Sequence, residues 1–393
     1  MKIAVCIGAS RRGGVGVSTH LLCQGFRDEG HESDIVVTEP SVGNDHQNAV
    51  DRGWPIRPIN LGLRWWRTIL ANTLEVLSQY DVVINNHSLE AQLVLPALPE
   101  RVIRLSVVRS TDRTAVLSAR PNHEYLDAVV GISPQVCRAL EASGFHCQIR
   151  MIPNAVLVEP LAKPIELSQP YRLIYVGRLE DKQKNIMILP DIARALQKMS
   201  VPLTFTVVGD GRQGDMLRGR VEQLGVQQLF RFLGALPPEQ AWEHLRQSHF
   251  CIVPSNFEGF GLVVAEAMGV GCVPIVSDID VFSWILGKDC EFLQVQKNCH
   301  GDYAERVGFL IHNPDIYNTL RYRLMDRQAE CFSPSRTVSQ YLDLISTIAT
   351  CGSRETRPSY TLRDMPLPAY YRMRCSCYWR VLQVIKAMLC VSS

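Results

Sequence analysis

Aliphatic and β-branched runs of three to six residues alternate along this chain with stretches whose apolar residues recur every three or four positions. That alternation predicts parallel strands joined by crossover helices, an α/β protein rather than a sandwich or a bundle. In the first half the expected strands are Ile3–Ile7, Ile35–Val37, Val82–Ile84, Val102–Val107, Ala128–Ile132 and Gln148–Ile152. Between the first two, Val17, Leu21, Leu22 and Phe26 fall on one face of a helix and put an apolar stripe on the sheet. The rhythm restarts with Leu173–Val176, Phe205–Val208, Phe230–Leu233, Cys251–Val253 and Val273–Val276, each followed by a polar or glycine-rich turn and a helical pattern. Pro153, Pro160, Pro164 and Pro170 punctuate the stretch between the halves, which reads as a connector centred on residues 155–168. A last helix is expected over about Arg336–Thr350.

The length of 393 residues exceeds what a single core usually reaches and suits two domains with an appendage. The expected division is 1–160, 161–350 and a tail over 351–393. A net charge of +2 with 20% charged residues lacks the basic excess of a nucleic-acid binder, so no nucleic-acid partner is expected. The basic part is the tail: Gly352–Ser393 carries seven Lys or Arg against two Asp or Glu. Within it, Tyr378–Leu389 combines a helical apolar stripe with Arg380 and Lys386, the pattern either of a helix packed on the body or of one lying on anionic lipid. The N-terminal apolar run before Gly8 is too short for a signal peptide and no run reaches a membrane span, so the expected location is the cytoplasm, with peripheral contact at the inner face of the membrane. The thirteen cysteines show no paired CxxC spacing and read as reduced core residues rather than zinc ligands.

Three segments carry candidate chemistry. Gly13-Gly14-Val15-Gly16 follows a strand and opens a helix, where backbone amides and the helix N-terminus favour a phosphate. Its spacing fits neither the dinucleotide fingerprint nor the P-loop, and a tight turn without ligand fits it equally. Arg178 follows the strand Leu173–Val176 at the end where open α/β sheets bind ligands, and Lys182 or Lys184 lies near enough in sequence to share a diphosphate with it. Most informative is Pro254-Ser255-Asn256-Phe257-Glu258-Gly259-Phe260-Gly261-Leu262-Val263-Val264-Ala265-Glu266-Ala267-Met268. It sets Glu258 on a loop and Glu266 on the following helix, so one ligand can meet both carboxylates through its hydroxyls while its phosphates face the helix N-terminus.

With these segments, the order of GGVGVSTHLLCQGFRDEGHESDIVV, MIPNAV, YVGRLEDKQKN, VVGDGR, FLGALPPEQ and PSNFEGFGLVVAEAMGVGCVPIVSD resembles the retaining, GT-B-type glycosyltransferases of family four over about residues 2–345. The resemblance implies two Rossmann-like domains facing across a cleft, with a nucleotide diphosphate sugar as donor and no metal or other cofactor. It implies that Arg178 and Lys184 meet the diphosphate, that Gly14 and Gly16 close over the phosphates, and that Glu258 meets the donor sugar. It further assigns the turn Gly259, Phe260, Gly261, Leu262 to sugar and phosphate, Glu266 to the ribose, and the stretch Phe230–Gly234, with Phe232, to the base. The acceptor it implies is a surface polysaccharide or a lipid-linked glycan.

Two departures stand out. Where family members often carry a reaction-centre histidine after the strand of Arg104–Val108, this chain has Arg109, with His87 as a second candidate on the acceptor side. The glycine pair usual after Ser277-Asp278 is replaced by Ile279-Asp280. Asp278-Ile279-Asp280 imitates a metal-binding DxD, but its place after a strand in this block argues against metal. A catalytically silent relative, sensing nucleotide sugar or serving as a partner subunit, is the alternative these departures raise. A nicotinamide-dependent dehydrogenase has only Rossmann character in its favour.

Overall fold

A computed structural model gives the fold and describes residues 1–8, 14–38, 53, 55–59, 66–158 and 165–351. The chain forms two compact units. The first holds a seven-stranded sheet of β1 (Lys2–Ile7), β2 (Glu32–Val37), β3 (Ile56–Pro58), β4 (Val82–Asn85), β5 (Ile103–Val108), β6 (Ala128–Gly131) and β7 (Gln148–Met151), in the order β3-β2-β1-β4-β5-β6-β7. The second holds β8 (Tyr171–Val176), β9 (Leu203–Val208), β10 (Phe230–Gly234), β11 (Phe250–Val253), β12 (Val273–Ser277) and β13 (Gln294–Val295), ordered β10-β9-β8-β11-β12-β13. Neighbouring strands pair in parallel throughout, for example Ile3 opposite Val82 and Phe250 opposite Leu173.

Parallel sheets are covered by helices on both faces, so their strands bury both sets of side chains. Accordingly all six positions of β5 and all four of β4 and β11 are buried; β11 reads as an unbroken apolar run, while β5 buries Arg104 and Ser106 among its aliphatic residues and β4 ends in the buried Asn85. The helices supply the matching stripes. In Leu189–Lys198, Leu189, Ile192, Ala193 and Leu196 are buried, the spacing of one helix face, and Pro190 sits in the first turn where its missing N–H costs nothing. In Gly14–Asp28, Leu21, Leu22 and Phe26 are buried as the periodicity requires.

The division differs from the sequence expectation at three places. The short stretch Ile132–Gln135 groups with the second unit, whose main run begins at Pro153, ahead of the expected connector, because Val156 donates its amide to the Phe332 carbonyl (2.8 Å) and accepts from Gln328 Nε2 (3.0 Å). The helix Pro334–Thr350 was expected to close the second domain, yet from Val338 onward it belongs to the first unit. There Tyr341 packs edge-on against Phe26 at 6.2 Å, and Val338, Tyr341, Leu344 and Ile345 are buried. The expected tail helix over Tyr378–Leu389 lies outside the described residues.

In both sheets the order of connection reverses once, between β1 and β4 and between β8 and β11. Open α/β sheets bind ligands at the carboxyl ends of the strands at such a point. Those two ends are where the candidate residues lie.

Candidate active site

In the second unit the reversal brings the loops after β8 and β11 together. The β8 strand ends at Val176, and the buried Tyr175 hydroxyl donates to the Arg178 carbonyl at 2.8 Å. Burial pushes that phenol well above its ordinary range, so it stays a donor and fixes the backbone of Arg178. The chain then makes one helical turn, Asp181–Lys184, and leaves it through Asn185 at φ 51°. Asparagine tolerates that left-handed backbone, and its side chain donates to Asn298 Oδ1 at 2.9 Å.

Opposite this turn runs the loop after β11. Asn256 donates its amide to the Gln183 carbonyl (2.8 Å) and its side chain to the Lys182 carbonyl (3.2 Å), locking the two segments. Glu258 thereby meets Lys184, with Nζ 2.5 Å from Oε1 and side-chain exposures of 16% for the lysine and 8% for the glutamate. Ser255 Oγ donates to the same oxygen at 2.9 Å, while Gln183 Nε2 reaches Oε2 at 3.3 Å. The Ser277 hydroxyl at the end of β12 donates to the Ser255 carbonyl, so three strand ends support one carboxylate. Arg178 stays in water: its side chain is 67% exposed, 3.1 Å from Glu180 Oε2 and 2.7 Å from Gln183 Oε1. Lys182, the other lysine of the segment, is exposed.

The Gly259–Leu262 turn delivers the chain into the helix Leu262–Gly269. Gly261 sits at φ 88°, ψ 58°, and a Cβ there would stand 2.6 Å from Phe282 Cε1, so both backbone and space demand glycine. No side chain caps this helix, whose N-terminal amides and partial positive charge suit an anion. Phe260 contributes only backbone to the turn, its ring being buried against Trp284 (5.9 Å) and Phe332 (5.5 Å). Glu266 lies one turn into the helix. Burial raises its carboxyl above the ordinary value, opposed by a hydrogen bond from the Trp242 side chain.

A separate cavity of about 170 Å³ opens at the ends of β9 and β10, lined by Leu179, Gly209, Asp210, Arg218, Phe232 and Gly234 among others. The Arg218 guanidinium lies 4.2 Å over the Phe232 ring, and Phe232 stacks on Phe230 at 5.9 Å. Gly209 has φ 136°, and a Cβ on it would strike the Gly177 carbonyl, so glycine lets the loops after β8 and β9 close on each other.

In the first unit the reversal gathers the remaining candidates. Gly14 and Gly16 open the helix Gly14–Asp28, the former exposed and the latter buried, while the five residues before it lie outside the described part. Thr19 on that helix accepts from Asn86 Nδ2 at 2.5 Å, and Asn86 Oδ1 accepts from Arg109 Nε at 2.5 Å. Burial lowers Arg109 to about 10, so it remains a cation at neutral pH. His87 is exposed at φ 78°, and its carbonyl accepts from the Gly8 amide at 3.2 Å. Among the described residues no group of three His, Cys, Asp or Glu stands ready for a metal, Asp278 and Asp280 included.

The structure thus brings Lys184, Glu258 and, through Gln183, Arg178 to one place, and Arg109 beside the His87 turn in the other unit. Gln183, Ser255, Trp242 and Arg218 were not assigned roles from sequence. Ser255 and Gln183 are adjacent to motif residues, which is a signal; Trp242 and Arg218 sit on helices with no spacing link to the motif.

Two parallel α/β units, each with its candidate residues at the sheet's point of reversal, define the GT-B class of glycosyltransferase fold. Residues 12–159 match the family model described as Glycosyltransferase Family 4, and residues 161–325 the one described as Glycosyl transferases group 1. The chain belongs to the group 1 glycosyltransferases and is an enzyme of that class. It is 26% identical over 258 residues to a phosphatidyl-myo-inositol mannosyltransferase of Mycobacterium leprae, covering 62% of this chain and 67% of that one. The match to the Mycobacterium tuberculosis protein of the same name is 27% identical and spans 42% of this chain and 44% of the relative's length. Anabaena HepE in complex with UDP has a similar fold, with a TM-score of 0.71 at 15% identity, covering 88% of this chain and 100% of that one. No described helix is long and apolar enough to cross a membrane.

Proposed function

We propose that this chain transfers a sugar from a nucleoside diphosphate donor to a glycan acceptor, with retention of the anomeric configuration, and that the second unit holds the donor. The observation that carries the reading is the set of Arg178, Lys184 and Glu258 at the reversal point of that sheet, beside a helix N-terminus without a side-chain cap. When the bond from the anomeric carbon to the diphosphate oxygen breaks, negative charge grows on the diphosphate and positive charge on the sugar ring. Arg178, Lys184 and the helix end stabilise the first. Glu258 accepts from sugar hydroxyls, and Glu266, steadied by Trp242, accepts from the ribose. The cavity with Phe232 and Arg218 offers the base an aromatic ring and a planar cation. On the first unit, Arg109 presents a half-buried cation to the acceptor side, bonded to Asn86 next to His87, with Gly14 and Gly16 at the phosphates.

Departure of the donor phosphate on the same face as acceptor attack accounts for retention without a protein nucleophile. The relatives include an α-mannosyltransferase acting on a diphosphopolyprenol-linked sugar, which supports a polysaccharide or lipid-linked acceptor. Contact with the membrane surface rests on the composition of the tail 351–393, and co-sedimentation with anionic vesicles before and after truncation beyond Thr350 tests it. The silent-relative reading is not favoured.

The central experiment separates the two glutamates. Glu258→Gln is expected to lower turnover while leaving affinity for the free nucleoside diphosphate nearly unchanged, because that ligand lacks the sugar. Glu266→Gln is expected to weaken the diphosphate by about 10- to 100-fold, the worth of a hydrogen bond to a charged group. Arg178→Ala should harm both. Titration calorimetry and steady-state rates give the answer, and wild-type behaviour of both glutamate variants would show the segment to be structural.

A further inference from the structure

We infer that Gln183 is a positioning residue that stands between Arg178 and Glu258 and keeps the guanidinium available for the donor diphosphate. The inference rests on the proposed donor site. Gln183 lies in the single turn Asp181–Lys184, held by its own carbonyl, which accepts from the Asn256 amide at 2.8 Å. Its side-chain amide faces two opposite charges. Oε1 accepts from Arg178 Nη2 at 2.7 Å, while Nε2 donates to Glu258 Oε2 at 3.3 Å and to the Phe257 carbonyl at 3.4 Å. Only this orientation of the amide satisfies all three, since a flipped amide would set NH2 against the guanidinium and oxygen against the carboxylate.

The arrangement matters because of what surrounds it. Glu258 already holds Lys184 at 2.5 Å, and Arg178, on a long and mostly exposed side chain, is one amide away from the same carboxylate. Guanidinium and carboxylate pair readily through two parallel hydrogen bonds. Without the amide between them, Arg178 would fold onto Glu258 and both cations of the site would be tied to that one carboxylate. A neutral amide prevents this and adds no charge: it accepts from the cation, donates to the anion and leaves the guanidinium aimed outward. Its neighbours show why no other group does the task. Glu180, the remaining carboxylate at Arg178, is itself 43% exposed and lies on the same loop, so it leaves the guanidinium in water rather than drawing it under the turn.

The test uses the full chain and a double substitution. UDP and GDP are titrated calorimetrically into wild type, and the tighter of the two is the probe. Gln183→Met keeps the length and removes both hydrogen bonds, and it is expected to weaken the probe about 10-fold by loss of a charged contact. In a Glu258→Gln background the same substitution is expected to change affinity less than about 2-fold, because position 258 no longer carries the carboxylate that would draw Arg178 under the turn. Gln183→Leu serves if the methionine variant does not fold. Wild-type affinity in the single variant overturns the inference, as does equal weakening in both backgrounds, which would mark Gln183 as packing only. Either result leaves the proposed donor site standing. Absence of binding by wild type to both nucleotides would overturn that site, and the inference with it.

Discussion

Replacing Lys184 by methionine removes the cation from a pair that is nearly closed to solvent and leaves Glu258, at 8% side-chain exposure, as a carboxylate without a counter-charge. Breaking a buried pair this way typically costs about 3–5 kcal/mol. Here Ser255 at 2.9 Å and Gln183 at 3.3 Å continue to donate to the carboxylate, each contributing about 1 kcal/mol. The expected loss is therefore about 2 kcal/mol, a shift of about 1 M in urea midpoint for a slope near 2 kcal/mol/M. Adding Glu258→Gln removes the stranded charge and should return the midpoint to within about 0.5 M of wild type, since an amide of the same shape needs no cation. Unfolding followed by circular dichroism on the wild type, both single variants and the double variant gives the cycle. A Lys184→Met midpoint equal to wild type would mean the pair contributes nothing to folding. A double variant no better than the single one would mean that the loss is one of packing. Turnover should fall in all three variants, so recovery is looked for in stability alone.

Gly261→Ala is expected to destabilise by about 3 kcal/mol, combining a left-handed backbone penalty with a Cβ at 2.6 Å from the Phe282 ring, and a midpoint within error of wild type would contradict both causes. Glu266 has a folded value raised above 4.5, so the folded chain keeps a proton that the unfolded one releases, and stability falls as pH rises through that window. Glu266→Gln should therefore match wild type near pH 4 and gain on it toward pH 7; a difference independent of pH would refute the burial argument. Sugar transfer should survive EDTA, with Arg178 and Lys184 carrying the leaving-group charge, and activity that vanishes and returns with manganese or magnesium would sink that expectation.

The strands legible in the sequence were those with both faces buried, such as β6 and β11, because a short apolar run between turn residues is too short for a helix and suits a strand covered on both sides. Two strands gave no such signal. β3 is three residues long and ends in Pro58, which an edge strand tolerates, and β13 is two residues long at the opposite edge of the other sheet. The last helix was legible as a helix but not as a part of the first unit, since an amphipathic stripe does not say which sheet it covers. In the site, Arg178 and Glu258 stood out through strand ends and motif spacing, whereas Lys184 was separated from Lys182 only by the family resemblance. Their wiring did not: Gln183 and Glu258 are 75 positions apart, and whether an amide or a guanidinium touches a carboxylate is decided by how two loops dock. Phe260 shows the converse, a motif residue whose ring serves the core.

Because the helix from Val338 packs against Phe26 and completes the first unit, the order in which the units can be finished during synthesis is the reverse of the order in which they begin. Domains generally fold as units as the chain emerges, N-terminal first. Here the residues of the second unit, Pro153–Thr337, are all made before the last piece of the first one exists. Until then Gly25 and Phe26 lie on a helix whose neighbours Val338 and Tyr341 have yet to be translated. A chain ending at Thr337 and released from the ribosome would hold a second unit whole in sequence and a first unit with part of its helical cover missing. On such chains, limited proteolysis should find the first unit open and the second resistant.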